Sequence, residues 1–419
     1  MYLTTKTTHF IRLDIHKVKG ISNYFINTSL FQLFLIVFLI ALNEVKAQVI
    51  VPDFQVAAVS DTAAPSGTAI AADTANNFII TYSWHYFRYH QPIGPIIGQQ
   101  YDCNGINQGE KFIASENITR GSASIDMDNS GNFIVCWGGP TVYFQRFNNN
   151  HEAQDSNVLI GAGDYTDVGV DGTGNFIIIW ELSDTIYFQR YNADGIALGY
   201  KTKVSYNPED SRSTLPRIGF DSSGNFVIVW QNIGYDFIHS FYQRYNSNGE
   251  PQGNNIKVNG DTEDTHQSSP AVSVDKNGNF VIVWMDNRNG EYDIYCQRYN
   301  SNGEAQGNNI KVNDDINNSY QESPVIAIDE SGKIIIIWSD NRNGNSDIYG
   351  QRYNSSGEAI GNNFRINHME EGNKGLPDVA LKNGRIYSTW HFFEGSQNDG
   401  IWANVLDFDN PVGVDSPEI

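Results

Sequence analysis

Short, dense apolar runs recur along the chain at nearly regular intervals. They include Phe-Ile-Val-Cys-Trp (133–137), Phe-Ile-Ile-Ile-Trp (176–180), Phe-Val-Ile-Val-Trp (226–230 and again 280–284) and Ile-Ile-Ile-Ile-Trp (334–338). A run of this length without a polar member reads as a strand buried on both faces. Each is preceded by a polar turn and followed by a segment in which side chains alternate. In the copy spanning 269–313 the pattern predicts four strands, at 271–275, 279–284, 293–300 and 309–313. The third sets Ile294, Cys296 and Arg298 against Tyr295, Gln297 and Tyr299, the two-residue period of a pleated strand. The turn Asp-x-x-Gly-Asn places a glycine (Asn76 in the first copy) where a left-handed residue is expected. Pro216, Pro270, Pro324 and Pro377 are expected just before a first strand, where no ladder donor is lost.

Aligning on Asp-x-x-Gly-Asn-Phe-x-x-x-Trp gives anchors at Trp137, Trp180, Trp230, Trp284, Trp338 and Trp390, with Tyr82 in the tryptophan place of an earlier copy. Their spacings are 55, 43, 50, 54, 54 and 52 residues. Gln-Arg-Tyr or Gln-Arg-Phe, at Gln145, Gln189, Gln243, Gln297 and Gln351, keeps the same register. Seven four-stranded units of this size predict an all-β fold, a seven-bladed β-propeller. The seventh copy stops after its third strand, near Phe408, and the chain enters the repeats through an unpaired strand at 51–58. That N-terminal strand is expected to complete the last blade and leave no open edge.

The first 47 residues read differently. Positions 30–42 form a 13-residue apolar run, shorter than the about 20 residues a membrane-spanning helix needs. Lys6, Arg12, Lys17 and Lys19 precede it, and Val45-Lys46-Ala47 follows. This is the layout of a secretory signal with cleavage after Ala47; an uncleaved anchor is the alternative. The expected organisation is therefore a signal peptide (1–47), a propeller (48–410) and a C-terminal tail or truncated linker (411–419). The remainder is expected to be a secreted or cell-surface monomer with no membrane span after cleavage.

Composition narrows the function. With 48 acidic and 27 basic residues, for a net charge of −21, the chain lacks the basic face of a general nucleic-acid binder. Cys103, Cys136 and Cys296 are too few for a disulfide framework, and their pairing is not specified by the sequence.

The phrase "GNFVIVW…DIYCQRYNSNGEAQGNNIKVN" resembles repeats of large secreted bacterial surface proteins. The resemblance covers nearly all of the chain after residue 47. It implies a secreted propeller, an accessory to adhesion or surface assembly, without a catalytic set; sialidase propellers are a more distant likeness.

A residue repeated at one place in every blade is an architectural signal. Arg146, Arg190, Arg244, Arg298 and Arg352 are therefore expected to pack and pair between blades, with the repeated turn aspartate as a candidate partner. Function is expected where the repeat is broken, on loops joining second to third strands. These carry Trp84, His85, Tyr86, Tyr89 and His90 in the first copy, Tyr235 in the fourth, and His391, Phe392 and Glu394 in the seventh. Aromatic loops on the neighbouring first and seventh blades suit a glycan or a cell-surface protein. The loops 286–290 and 340–344 (Asp-Asn-Arg-Asn-Gly) are rich in oxygen ligands for calcium, but the central arginine favours a hydrogen-bonded turn in which it pairs with the aspartate. No cofactor is expected. His85, His90 and His391 as a metal set, or Asp236 and Glu394 as a glycosidase pair, are guesses from type alone. The sequence reading is a non-enzymatic propeller that binds a partner through one loop-rich face. Its alternatives are a sialidase-like glycan-cleaving enzyme and a structural spacer of an adhesin.

Overall fold

The apolar runs form the second strand of each blade, and their tryptophans are the largest side chains of the core. In the computed structural model, Trp137, Trp180, Trp230, Trp284, Trp338 and Trp390 are all buried, as is Tyr82 in the same place. The structure describes residues 49–60, 63–86, 94–115, 123–205, 211–258, 265–315, 319–394 and 399–411. These lie in one unit, Ala47–Ile419. The expected signal segment and the last eight residues lie outside the described residues.

Seven antiparallel sheets of four strands are arranged as a seven-bladed propeller, and no helix occurs among the described residues. Consequently no described helix is long and apolar enough to cross a membrane. The innermost strands are Ala63–Ala72, Ala123–Met127, Asp164–Val170, Arg212–Phe220, Gln267–Val274, Gln321–Ile328 and Asn373–Lys382, for blades one to seven. The last blade takes its outer strand from the N-terminus: Val49–Ala58 pairs antiparallel with Gly400–Asp407. Asp53 on that strand accepts the backbone N–H groups of His368 at 2.7 Å and Met369 at 2.9 Å, and the Asn404 amide at 3.0 Å. The closure expected from the orphan strand is thus present and hydrogen-bonded.

Hydrophobic clusters straddle neighbouring blades. One joins Ile177, Ile179 and Phe188 of blade three to Ile218, Ile228 and Trp230 of blade four; another joins Tyr387, Ile401 and Val405 of blade seven to Ile70, Phe78 and Tyr82 of blade one. Within blades, the phenylalanine after the turn stacks on the ring of Gln-Arg-Tyr across the ladder. Phe176–Tyr191, Phe226–Tyr245 and Phe280–Tyr299 have centroids 4.9, 4.8 and 4.7 Å apart and planes within 11°. Such pairs are worth about 0.5–1.5 kcal/mol beyond their burial.

The turn chemistry matches its sequence. Gly131, Gly174, Gly224, Gly278 and Gly332 have φ between 79° and 87°, and Asn76 has 69°. The turn aspartate closes the loop on itself; in blade two Asp128 accepts the N–H groups of Ser130 and Asn132 and the Asn132 amide.

Three details differ from the sequence expectation. The second and third strands of blade five reach Asn289 and start at Glu291, meeting across Gly290. The fourth strand is only Ile310–Lys311. And the four prolines lie inside the inner strands, not before them. Each follows a residue at a β-bulge with left-handed φ: Leu215 (51°), Ser269 (52°), Ser323 (54°) and Leu376 (51°). Proline survives there because the inner strand is an edge, so its missing N–H removes no ladder bond.

The repeated arginines do join blades, but to main chain rather than to the turn aspartate. Arg146, Arg244 and Arg352 donate to the carbonyls of Ala193, Ser301 and Phe408 in the next blade at 2.6, 2.5 and 2.5 Å. Arg190 and Arg298 do the same to Asn248 and Ser356. In the Asp-Asn-Arg-Asn-Gly turns, Asp286 and Asp340 accept the indole N–H of Trp284 and Trp338 at 3.0 and 2.8 Å. They also pair with Arg288 and Arg342 at 2.5 and 2.7 Å, whose guanidinium groups lie over Tyr295 and Tyr349. Arginine fills the role offered to calcium. Cys103, Cys136 and Cys296 are free thiols.

Candidate functional site: the central channel

An innermost strand has one edge paired and the other turned to the central channel, where its N–H groups need acceptors. Side chains from the preceding blade supply them. Asp378 accepts the N–H of Ile70 at 2.8 Å, Asp126 that of Val170 at 2.8 Å, Asp167 that of Ile218 at 3.0 Å, and Ser273 that of Ile328 at 3.1 Å. Ser124 donates to the second oxygen of Asp167 at 2.5 Å.

Three of these acceptors are carboxyls, and they share the channel with Arg217, which is exposed on the inner strand of blade four. Asp378 on blade seven responds electrostatically to Arg217 on blade four and to Asp167 on blade three. Blades so far apart in the ring can influence one another at that range only across the channel. Burial pushes Asp126 up to about 7, against the lowering effect of the Val170 and Met127 N–H groups and with the Asp167 charge adding to the rise. Burial likewise raises Asp378 to about 6, against the Ile70 N–H and the Arg217 charge. Asp167 is raised for the same reason, with Arg217 opposing. The channel therefore holds carboxyls that exchange protons near neutrality beside an open guanidinium. That combination can bind an anion and move a proton. Among the described residues no group of three or more His, Cys, Asp or Glu could hold a metal ion.

Sequence reasoning named none of these four residues, yet the repeat contains the signal. Four places before the turn aspartate stand Ala69, Ser124, Asp167, Arg217, Ala271 and Val325, with Asp378 at the corresponding place of blade seven. The register is broken there by charge in blades three, four and seven. Two places further on, Asp126 stands where other blades have Gly169, Gly219, Ser273 or alanine.

The loop residues expected to bind are distributed differently. Trp84 is half-buried, its ring 6.0 Å from Tyr82 and packed on the blade one–seven cluster. His85 and Tyr86 end the second strand, opposite Ala64 and Ala63. Tyr89 and His90 lie outside the described residues. Tyr235 is 96% exposed at a hairpin tip of blade four, across the ring from the one–seven seam. His391 is half-buried, with its ring 4.0 Å from Phe393. Phe392 is fully buried beneath Lys374 and Trp402, so its ring serves the core. Glu394 is exposed, and its N–H donates to Asp399 at 2.7 Å. The structure thus brings positions 84–86 of the first blade and the seventh-blade residues to one end of adjacent blades and sets Tyr235 apart.

No family model matches the chain, and no curated protein matches it either. Solved structures do. A protein of unknown function from Dyadobacter fermentans is similar at 10% identity and a TM-score of 0.50, covering 85% of this chain and 99% of its own. A polysaccharide lyase described as a PL25 ulvan lyase is similar at 10% identity and a TM-score of 0.57, covering 85% and 96%. The polysaccharide lyase Uly1 is similar at 10% identity and 0.54, covering 84% and 92%. At this identity the likeness is one of fold. It nevertheless corrects the expectation of a non-enzymatic binder, which rested on the resemblance to surface-protein repeats: two of these three similar structures are polysaccharide lyases.

Proposed function

We propose that the chain is a secreted glycan-cleaving enzyme that acts on an acidic polysaccharide at the central channel. The observation that carries this reading is the convergence of Arg217 with Asp167 and Asp378 across the channel, with Asp126 of blade two acting electrostatically on the same Asp167. Arg217 is suited to neutralise a uronate carboxylate through its planar fork of donors. Asp126 and Asp378, held in place by backbone N–H groups, have the proton affinity a general acid or base needs near pH 7. The lyases of the same fold support the reading by analogy.

The test is incubation of the chain with a panel of uronate polysaccharides. New reducing ends report cleavage of either kind, and absorbance of an unsaturated uronate reports elimination. Asp126→Asn and Arg217→Ala are each expected to lower kcat/KM by about 100-fold or more. Product formation that persists unchanged in both variants overturns the channel as the site.

A further inference from the structure

In six blades an inner-strand bulge places one described residue in the left-handed region. Blades one, five and six fill it with Gly67, Ser269 and Ser323 at φ 58°, 52° and 54°. Nothing in the bulge itself therefore requires a large side chain. Blades three, four and seven nevertheless place Tyr165, Leu215 and Leu376 there, at 46°, 51° and 51°. Leu215 and Leu376 also precede proline, which ordinarily holds its predecessor at negative φ. Bulky side chains in this conformation are strained.

Core packing does not offset that strain. Tyr165 is 44% exposed and Leu376 53%, and Leu215 is half-buried. An innermost strand is covered by its neighbour in the sheet and by the adjoining blades, so the open side of these residues is the channel and its mouth. The same three blades carry a charge two residues further on: Asp167, Arg217 and Asp378. Blades one, five and six, with the small bulge residues, have Ala69, Ala271 and Val325 there. In the six blades whose bulge residue is described, a large left-handed side chain and a charge two residues further on occur together and are missing together. Strain kept at an exposed position marks a functional one.

We propose that Tyr165, Leu215 and Leu376 form a sugar-binding collar at the channel mouth, with the Tyr165 ring stacking on a pyranose of an acidic oligosaccharide whose carboxylate reaches Arg217. The collar rests on the glycan reading above. Pyranose rings present apolar C–H faces that suit an aromatic platform, and a bulge inside a strand holds that platform more rigidly than a loop does.

The experiment uses the full chain and its Tyr165→Gly, Tyr165→Phe and Leu376→Gly variants. Titration calorimetry follows acidic oligomers (oligogalacturonate, oligoglucuronate and oligomannuronate), with cello-oligosaccharide as the neutral control, beside melting temperature. Glycine removes the ring and relieves the left-handed strain together. The collar therefore predicts that Tyr165→Gly weakens acidic-oligomer binding about three- to tenfold, that its melting temperature is unchanged or raised, and that Tyr165→Phe retains binding. A fall in melting temperature with unchanged binding overturns the collar and makes these residues structural. So does failure of the native chain to bind any acidic oligomer. Cleavage assays on the same variants separate the two proposals. Tyr165-dependent binding without product keeps the collar and overturns the enzyme; product formed with an unchanged KM in Tyr165→Gly does the reverse.

Discussion

The carboxylate of Asp378 on blade seven accepts the N–H of Ile70 on blade one at 2.8 Å, across the seam where the ring closes. Thr68 and Thr389 add a hydroxyl pair at 2.9 Å across the same seam. Asp378→Ala leaves the Ile70 N–H without that acceptor, which costs about 1–3 kcal/mol. Asp378→Asn keeps an oxygen in place and is expected to stay closer to the native melting temperature. Thermal unfolding of the two variants side by side checks this.

Proton uptake in the channel makes stability depend on pH. The folded-state pKa of Asp126 is about 7, above the 3.8 of an exposed aspartate. The folded form thus binds this proton more tightly than the unfolded form. Its stabilising effect is complete below about pH 4 and is lost as pH rises through about 7. In Asp126→Asn the fall in melting temperature between pH 4 and 7 is expected to be shallower than in the native chain. An identical slope in both removes Asp126 as its source.

Arg342 holds the buried Asp340 at 2.7 Å and lies over Tyr349 at 4.2 Å. Arg342→Ala strands a buried carboxylate and is expected to destabilise by about 3–5 kcal/mol. Adding Asp340→Asn to that variant removes the unpaired charge and is expected to recover part of the loss. A double-mutant cycle on denaturant midpoints measures the coupling.

Deleting residues 49–58 removes the outer strand of blade seven and exposes the edge of Gly400–Asp407. The shortened chain is expected to aggregate or to lose its sharp melting transition. Size-exclusion chromatography of both chains distinguishes this from a dispensable strand.

The fold was legible because its determinants are periodic and local. The Phe…Trp run marks a strand buried on both faces, and Asp-x-x-Gly-Asn marks a turn that needs left-handed backbone at its glycine. The bulges were not legible. A residue before proline is ordinarily extended, so Leu215-Pro216 and Leu376-Pro377 read as strand entrances, whereas tertiary structure sets both leucines left-handed within the strand. The channel was missed for a different reason. The repeat breaks that stand out in the sequence are loop insertions, at Tyr235 and the 84–90 segment, while Asp126, Asp167, Arg217 and Asp378 replace small residues inside regular strands. The convergence of blades three, four and seven on one channel follows from ring closure and is not a local property of any repeat.

Ring closure also sets the order of events during synthesis. Asp53 and Asn404, bonded at 3.0 Å, are 351 positions apart. At ribosomal rates of about 5–20 residues per second, the strand made first waits roughly 20–70 s for its partner. Throughout that interval Val49–Ala58 is an unmatched β-segment on a growing chain. The last blade is then assembled from the oldest and the newest polypeptide together, so a nascent molecule interrupted anywhere before Gly400 holds no finished ring.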